Sequence, residues 1–277
     1  MVALVLPMFN EEASIPYLSA VIGPASFLDL VVAVDDGSTD GTRALLAEWR
    51  TRDSRLDMVS YRPNRGLPAA LMEGFRRAAE KGARVVITMD ADGSHPLEIV
   101  PDMVRKIDEG FDIVVASRYA RGARVVGLSP MRMVLSTGAS ALMRLVFPVK
   151  GLSDYSTNYR AYRASLLAAA LARSGGNLVE AAGFAGVVEL LLRLCSLGPR
   201  IAEVPLVLRY DRKRSRSKMR VVKTILDYLR LCVKRRVRGP AGVCLPLPVH
   251  DQHARDDQRH PRRLVRRHGF TEEDPGQ

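Results

Sequence analysis

The chain has 277 residues, 47% of them hydrophobic, which is enough for one sizeable core and too apolar for a wholly disordered protein. Its formal net charge of +12 is concentrated. Residues 1–208 carry 23 Lys and Arg against 22 Asp and Glu, residues 209–238 carry 13 against 2, and residues 239–277 carry 6 against 6. A nucleic-acid-binding domain is expected to show its basic footprint across a folded face, so no nucleic acid is expected as a partner. A short polybasic segment beside a helix fits an anionic membrane surface at least as well.

Cys195, Cys232 and Cys244 share no close spacing, which indicates neither a disulfide framework nor a zinc site. No signal-peptide pattern precedes the apolar run from Val2, and no stretch of about 18 apolar residues occurs. The expected location is cytoplasmic, peripheral at the cytoplasmic face of a membrane.

In chain order, strands are predicted at 2–7, 30–34, 56–61, 85–89 and 113–116, alternating with helices near 12–22, 42–50, 67–81 and 97–109. This alternation predicts an α/β fold with a mostly parallel central sheet flanked by helices. Beyond residue 129 the pattern predicts helices at 131–147, 164–173 and 187–197, a polar connection over 151–162, and a strand over 201–210. Residues 220–238 predict a basic amphipathic helix, with Val222, Ile225, Leu226, Leu229, Cys232 and Val233 at helical spacing. Such a helix fits a membrane interface, or packs its stripe on the protein's own core. Residues 1–219 are taken as one domain and 239–277 as a disordered tail lacking apolar periodicity.

Ligands of open α/β sheets bind beyond the carboxyl ends of the strands. Three polar clusters fall there: Asn10-Glu11-Glu12, Asp35-Asp36-Gly37-Ser38 and Asp90-Ala91-Asp92. Two carboxylates with one small residue between them suit Mg2+ or Mn2+, which prefer oxygen ligands and keep water and phosphate in their shell. Acidic pairs are also common in solvated loops, and Gly37 with Ser38 to Asp40 also reads as a turn and helix cap. Neither bland reading explains why Asp35 and Asp36 lie side by side at a buried strand end; a ribose or base offering donors would, and a cation at Asp92 would relieve the repulsion as well.

These stretches, with residues 4–12, 34–42, 64–67 and 89–96, Ser117-Arg118-Tyr119, Arg132 with Ser136, residues 154–160 and Glu203-Val204-Pro205, resemble a family 2 glycosyltransferase of the GT-A fold. The likeness is strongest to the polyprenyl- and dolichyl-phosphate sugar synthases and runs over residues 1–230. It implies that Pro7, Phe9, Glu11 and Asp36 meet the base and ribose of a nucleotide-sugar donor. It also implies that Asp90, Ala91 and Asp92, with Ser94, serve the metal and diphosphate. Arg118, Arg132 and Ser136 would meet phosphates of donor and lipid acceptor, and Arg209, Arg212 and Lys218 would close over the diphosphate.

The implied reaction transfers a hexose from a GDP- or UDP-sugar to a polyprenyl phosphate, with inversion. A phosphate nucleophile is already anionic and needs no base. A hydroxyl acceptor would need one, for which Asp154 and Glu189 are the candidates, with a loop turn and a helix-face charge as their plain readings. A catalytically silent nucleotide-sugar-binding module is the rival outside enzymes. Relatives often read Thr-x-Gly-Phe where this chain has Ser156-Thr157-Asn158-Tyr159, a departure expected to bear on the acceptor pocket.

Overall fold

The computed structural model describes residues 1–175, 178–214 and 221–237. The elements run β1 (Val2–Met8), α1 (Ile15–Ile22), β2 (Leu30–Asp36), α2 (Thr42–Arg52), β3 (Leu56–Tyr61), α3 (Leu67–Glu80) and β4 (Val85–Thr88). They continue with α4 (Val100–Asp108), β5 (Ile113–Ser117), β6 (Arg124–Val126), α5 (Pro130–Val146), β7 (Arg160–Arg163), α6 (Ala164–Arg173) and α7 (Gly183–Cys195). β8 (Ile201–Pro205), β9 (Val207–Arg209) and α8 (Val221–Val237) follow. Seven strands form one sheet in the order β3-β2-β1-β4-β7-β5-β8, and every neighbouring pair is parallel except those made by β7.

Burial on both faces explains the unbroken apolar run of β1. Ala3 and Val5 join the cluster under α3, α6 and α7, while Leu4 and Leu6 join the opposite cluster under α1, α2 and α4. On α3 the buried residues Ala70, Leu71, Gly74, Phe75 and Ala78 form the helical stripe that lies on the first face. Gly74 permits the close approach, since a Cβ there would run into Val5.

Two expectations fail, each for a local reason. The connection expected over 151–162 ends in strand β7, antiparallel to both β4 and β5. Its first residue, Arg160, is fully buried, with Nη1 and Nη2 donating to the carbonyls of Val187 (3.1 Å) and Tyr155 (2.7 Å). A buried guanidinium breaks the apolar signature of a core strand. The strand expected over 201–210 is two strands. After Pro205 the chain leaves the main sheet, and β9 pairs in parallel with β6 as a separate ribbon.

The amphipathic helix divides its stripe. Tyr228, Leu231 and Cys232 of α8 enter the core, whereas Leu226, Leu229 and Val233 stay exposed. The expected tail, 239–277, lies outside the described residues. Among the described residues no helix is long and apolar enough to cross a membrane.

Candidate active site

Strands β2, β1 and β4 are adjacent and parallel, so their carboxyl ends put the three polar clusters on one rim. The first two clusters tie to each other. The Asn10 N–H donates to Ser38 Oγ (2.9 Å), Asn10 Oδ1 accepts from the Thr39 N–H (2.8 Å), and the Glu11 N–H donates to Thr42 Oγ1 (2.8 Å). The Glu11 carboxylate is buried and accepts from Ser14 Oγ (2.8 Å); Pro7 and Phe9 are half-buried beside it in sequence.

The neighbouring acids prove to be satisfied by the protein itself. Asp35 accepts from the Ser38 N–H and Ser60 Oγ, and Asp36 from Asn64 Nδ2 (2.9 Å) and the N–H groups of Arg65 (2.7 Å) and Gly66 (2.9 Å). Charge-assisted bonds of this kind hold a buried carboxylate without any ligand, so the pairing of Asp35 with Asp36 is not by itself evidence of one.

Asp90-Ala91-Asp92 follows β4. Asp92 Oδ1 accepts from the Ser94 N–H (3.0 Å) and Oγ (2.6 Å), and its Oδ2 pairs with the Lys213 ammonium. Asp90 Oδ1 accepts from Asn158 Nδ2 (3.1 Å), and the Asp90 N–H points to His95 Nδ1 (3.3 Å). Burial pushes Asp90 above the usual carboxylate range and the charge of Asp92 adds to this, against the pull of His95. Burial pushes Asp92 the same way, but His95, Lys213 and the Ser94 bonds outweigh it and hold Asp92 low.

Two carboxylates and a serine hydroxyl make a hard-oxygen donor set. Among the described residues no group of three or more His, Cys, Asp or Glu could hold a metal. A cation at Asp90 and Asp92 would therefore complete its shell with phosphate and water, as Mg2+ and Mn2+ prefer. The residues fit that kind of ion.

A cavity of about 190 Å3 opens from Asp90 and Asp92 toward Arg118, under a wall that includes Tyr228 of α8. Arg118 is held rigidly. Its Nε and Nη2 donate to the two oxygens of Asp154 (2.7 and 2.8 Å), its Nη1 to Ser136 Oγ (2.8 Å), and Nη2 also to Ser156 Oγ (2.6 Å). Asp154 is fully buried; burial raises its carboxyl, but Arg118 wins and holds it below the usual range, while Arg118 is raised in turn. Glu203 of β8 fixes the loop from behind, accepting from the N–H groups of Ser153 (2.6 Å) and Asp154 (3.0 Å).

Arg118, Ser136 and Asp154, chosen from the sequence, are thus brought together, with Asp154 acting as counter-ion to Arg118. Glu189 is not brought there. Its buried carboxylate accepts from the N–H groups of Glu180 (2.9 Å) and Ala181 (2.7 Å) and from Arg193, which fastens the segment before α7. Arg209 docks through its N–H on the Ser94 carbonyl (3.0 Å), while its guanidinium pairs with Asp211; Arg212 is exposed. Arg132 lies in α5 with its side chain outside the described residues, as is all of Lys218. Sequence reasoning missed Lys213, which stands in the same basic run as Arg209 and Arg212 and is distinguished only by the fold.

Comparisons with known proteins bear on the family and the fold. The chain is 32% identical to the polyprenol monophosphomannose synthase of Mycolicibacterium smegmatis over 217 residues, 78% of this chain and 80% of that protein. It is 32% identical to the undecaprenyl-phosphate mannosyltransferase of Micrococcus luteus over 218 residues, 79% and 87% of the two chains. Glucosyl-3-phosphoglycerate synthase from Mycobacterium tuberculosis, solved with Mn2+, UDP and glucosyl-3-phosphoglycerate, shares the fold at a TM-score of 0.60 and 21% identity, covering 88% of this chain and 81% of that one. The model of glycosyl transferase family 2 matches residues 3–169. The chain belongs to glycosyl transferase family 2 and is a glycosyltransferase.

Proposed function

We propose that the protein transfers one hexose from a nucleotide diphosphate sugar to a polyprenyl phosphate, in a single inverting displacement. The observation that carries the choice of acceptor is the composition of the cavity. Among the described residues its only carboxylates are Asp90 and Asp92, both at the diphosphate end, while Arg118 is fixed at the other end. Asp154 is committed to Arg118 and Glu189 to the segment before α7, so neither stands free as a base for a hydroxyl. An anionic phosphate oxygen needs no base, and a preorganised guanidinium is a ready partner for it.

The names of the two mannosyltransferase relatives support the same acceptor class. Charge on the departing diphosphate would be met by the backbone-fixed loop 209–214 and its Lys213. Mg2+ or Mn2+, when bound at Asp90 and Asp92, would supply Lewis-acid charge to the same leaving group. Glu11, Asp36, Pro7 and Phe9, on the neighbouring strand ends, are assigned to the nucleoside.

We further assign the protein to an anionic membrane surface, at the cytoplasmic face. Met131, Val134 and Leu145 of α5 are 68–81% exposed, an unusual state for large apolar side chains on one helix. Leu226, Leu229 and Val233 of α8 add to them, within the segment 209–238 of net charge +11. The test combines the protein with Mn2+ or Mg2+, radiolabelled GDP- and UDP-hexoses and short polyprenyl phosphates, followed by lipid extraction. Label in an acid-labile lipid is expected. Transfer only to hydroxyl acceptors, or nucleotide binding without turnover across the panel, would overturn the reading.

A further inference from the structure

The segment that departs from the family pattern carries an unmet hydrogen-bonding need. Asn158 is 3% exposed and lines the cavity next to Asp90. Its backbone carbonyl accepts from Thr88 Oγ1 at the end of β4, which clamps the residue against that strand. The next residue is fixed as well: Tyr159 stacks on His95 with ring centroids 4.9 Å apart and donates to the Pro96 carbonyl at 2.8 Å. On this rigid base the Asn158 amide has a defined orientation. Its Nδ2 donates to Asp90 Oδ1 at 3.1 Å, the orientation that suits Asp90 in the ionised form a cation requires. Asn158 Oδ1 is then buried and has no partner among the described residues.

A buried acceptor left unmatched is rare and costly, and calls for an explanation. Its partner is a water, a cation or a hydrogen-bond donor brought into the cavity beside the diphosphate end. An ionised diphosphate has no donor to give, and an apolar lipid chain has none. A hexose presents several hydroxyls.

We infer that Asn158 recognises a hydroxyl of the transferred sugar, accepting its hydrogen bond at Oδ1 while Nδ2 orients Asp90. This deepens, and rests on, the proposed use of a nucleotide-sugar donor. It makes Asn158 a specificity-determining residue. Within the departing run, Ser156 bonds Arg118 while Asn158 lies against Asp90. A glycine at this position, as the family pattern reads, would offer no such acceptor.

The experiment uses the full chain with Mn2+, the preferred hexose donor from the nucleotide-sugar panel, and its 2-, 3-, 4- and 6-deoxy analogues. Wild-type protein is expected to reject one analogue by about tenfold in kcat/KM, the scale of a polar site left unpaired by a missing hydroxyl. Asn158→Ala and Asn158→Gly are expected to lose about tenfold on the parent sugar and to stop discriminating against that one analogue. Binding of the sugar-free nucleoside diphosphate with Mn2+, read by calorimetry, is expected to weaken less than kcat/KM on the parent sugar falls, since it loses only the Asp90 contact. Thermal unfolding confirms that both variants are folded.

Identical analogue profiles in wild type and variants would overturn the inference and leave the donor assignment standing. So would an equal loss for nucleoside diphosphate and nucleotide sugar, because Asn158 would then act only through Asp90 or as a metal ligand. Failure of the wild type to use any nucleotide sugar would overturn both.

Discussion

Replacing Asp154 by Asn separates an ion pair from a catalytic base. The substitution keeps the shape of the side chain and removes its charge. Asp154 is fully buried, accepts from Arg118 through both oxygens, and also takes the N–H groups of Arg118, Ser156 and Thr157. Arg118 itself is mostly buried, its side chain 14% exposed. Breaking a buried pair by neutralising one partner leaves an uncompensated charge and costs about 3–5 kcal/mol. At roughly 2–4 °C per kcal/mol for a domain of this size, the melting temperature should fall by roughly 6–20 °C.

Thermal unfolding followed by circular dichroism at pH 7.5 measures this, and added salt should barely change the difference because the pair is shielded from solvent. The pH dependence has a defined sign. The Asp154 carboxyl is held below its ordinary value, so its contribution to stability is complete above the unfolded value near 4 and is lost as pH falls through the lower folded value. Acid destabilisation below about pH 4 should therefore be steeper in wild type than in Asp154→Asn. A variant that melts within about 2 °C of wild type yet has lost all turnover would refute the argument, and would restore Asp154 as a candidate base.

The remaining predictions concern other elements. Asp92→Asn should leave the fold intact and lower metal-dependent turnover at least ~100-fold, since it removes a charge at the leaving group; near wild-type turnover would end the metal assignment. Gly74→Ala should destabilise by about 1–3 kcal/mol, read as a lower urea midpoint, because the new methyl meets Val5 across the α3–β1 contact; an unchanged midpoint would show that the helix can shift freely. Joint replacement of Met131, Val134 and Leu145 by Ser should weaken binding to anionic vesicles while soluble nucleotide binding is unchanged. Unaltered vesicle sedimentation would show that α5 faces something other than lipid.

Periodicity read most of the fold correctly where burial is two-sided and the residues are aliphatic, as in β1, β2 and β5. It failed at β7, because Arg160 hides a core position behind a charge, and at Leu206, where only the break after Pro205 and the β6 pairing reveal two strands. The rim clusters were legible because short motifs report strand ends. Their partners were not. Nothing in residue type separates Lys213 from the other basic residues around it, or a carboxylate that neutralises an arginine from one that would accept a proton. Asp154 and Glu189 both read as possible bases, and only hydrogen-bond geometry shows each of them already engaged.

Strand β7 has a further consequence for anyone who would re-engineer the protein. It is the seam between a half built on β1 to β4 and a half built on β5 and β8, and it is stitched to both through main-chain bonds that do not depend on side-chain identity. The short run before the seam is a different matter. Residues 154–158 touch Arg118 at one end and Asp90 at the other, so a change there is transmitted to both ends of the cavity at once. β7 is itself a buried central strand, so splice points belong in the exposed connections, and the riskiest are the five residues ahead of β7.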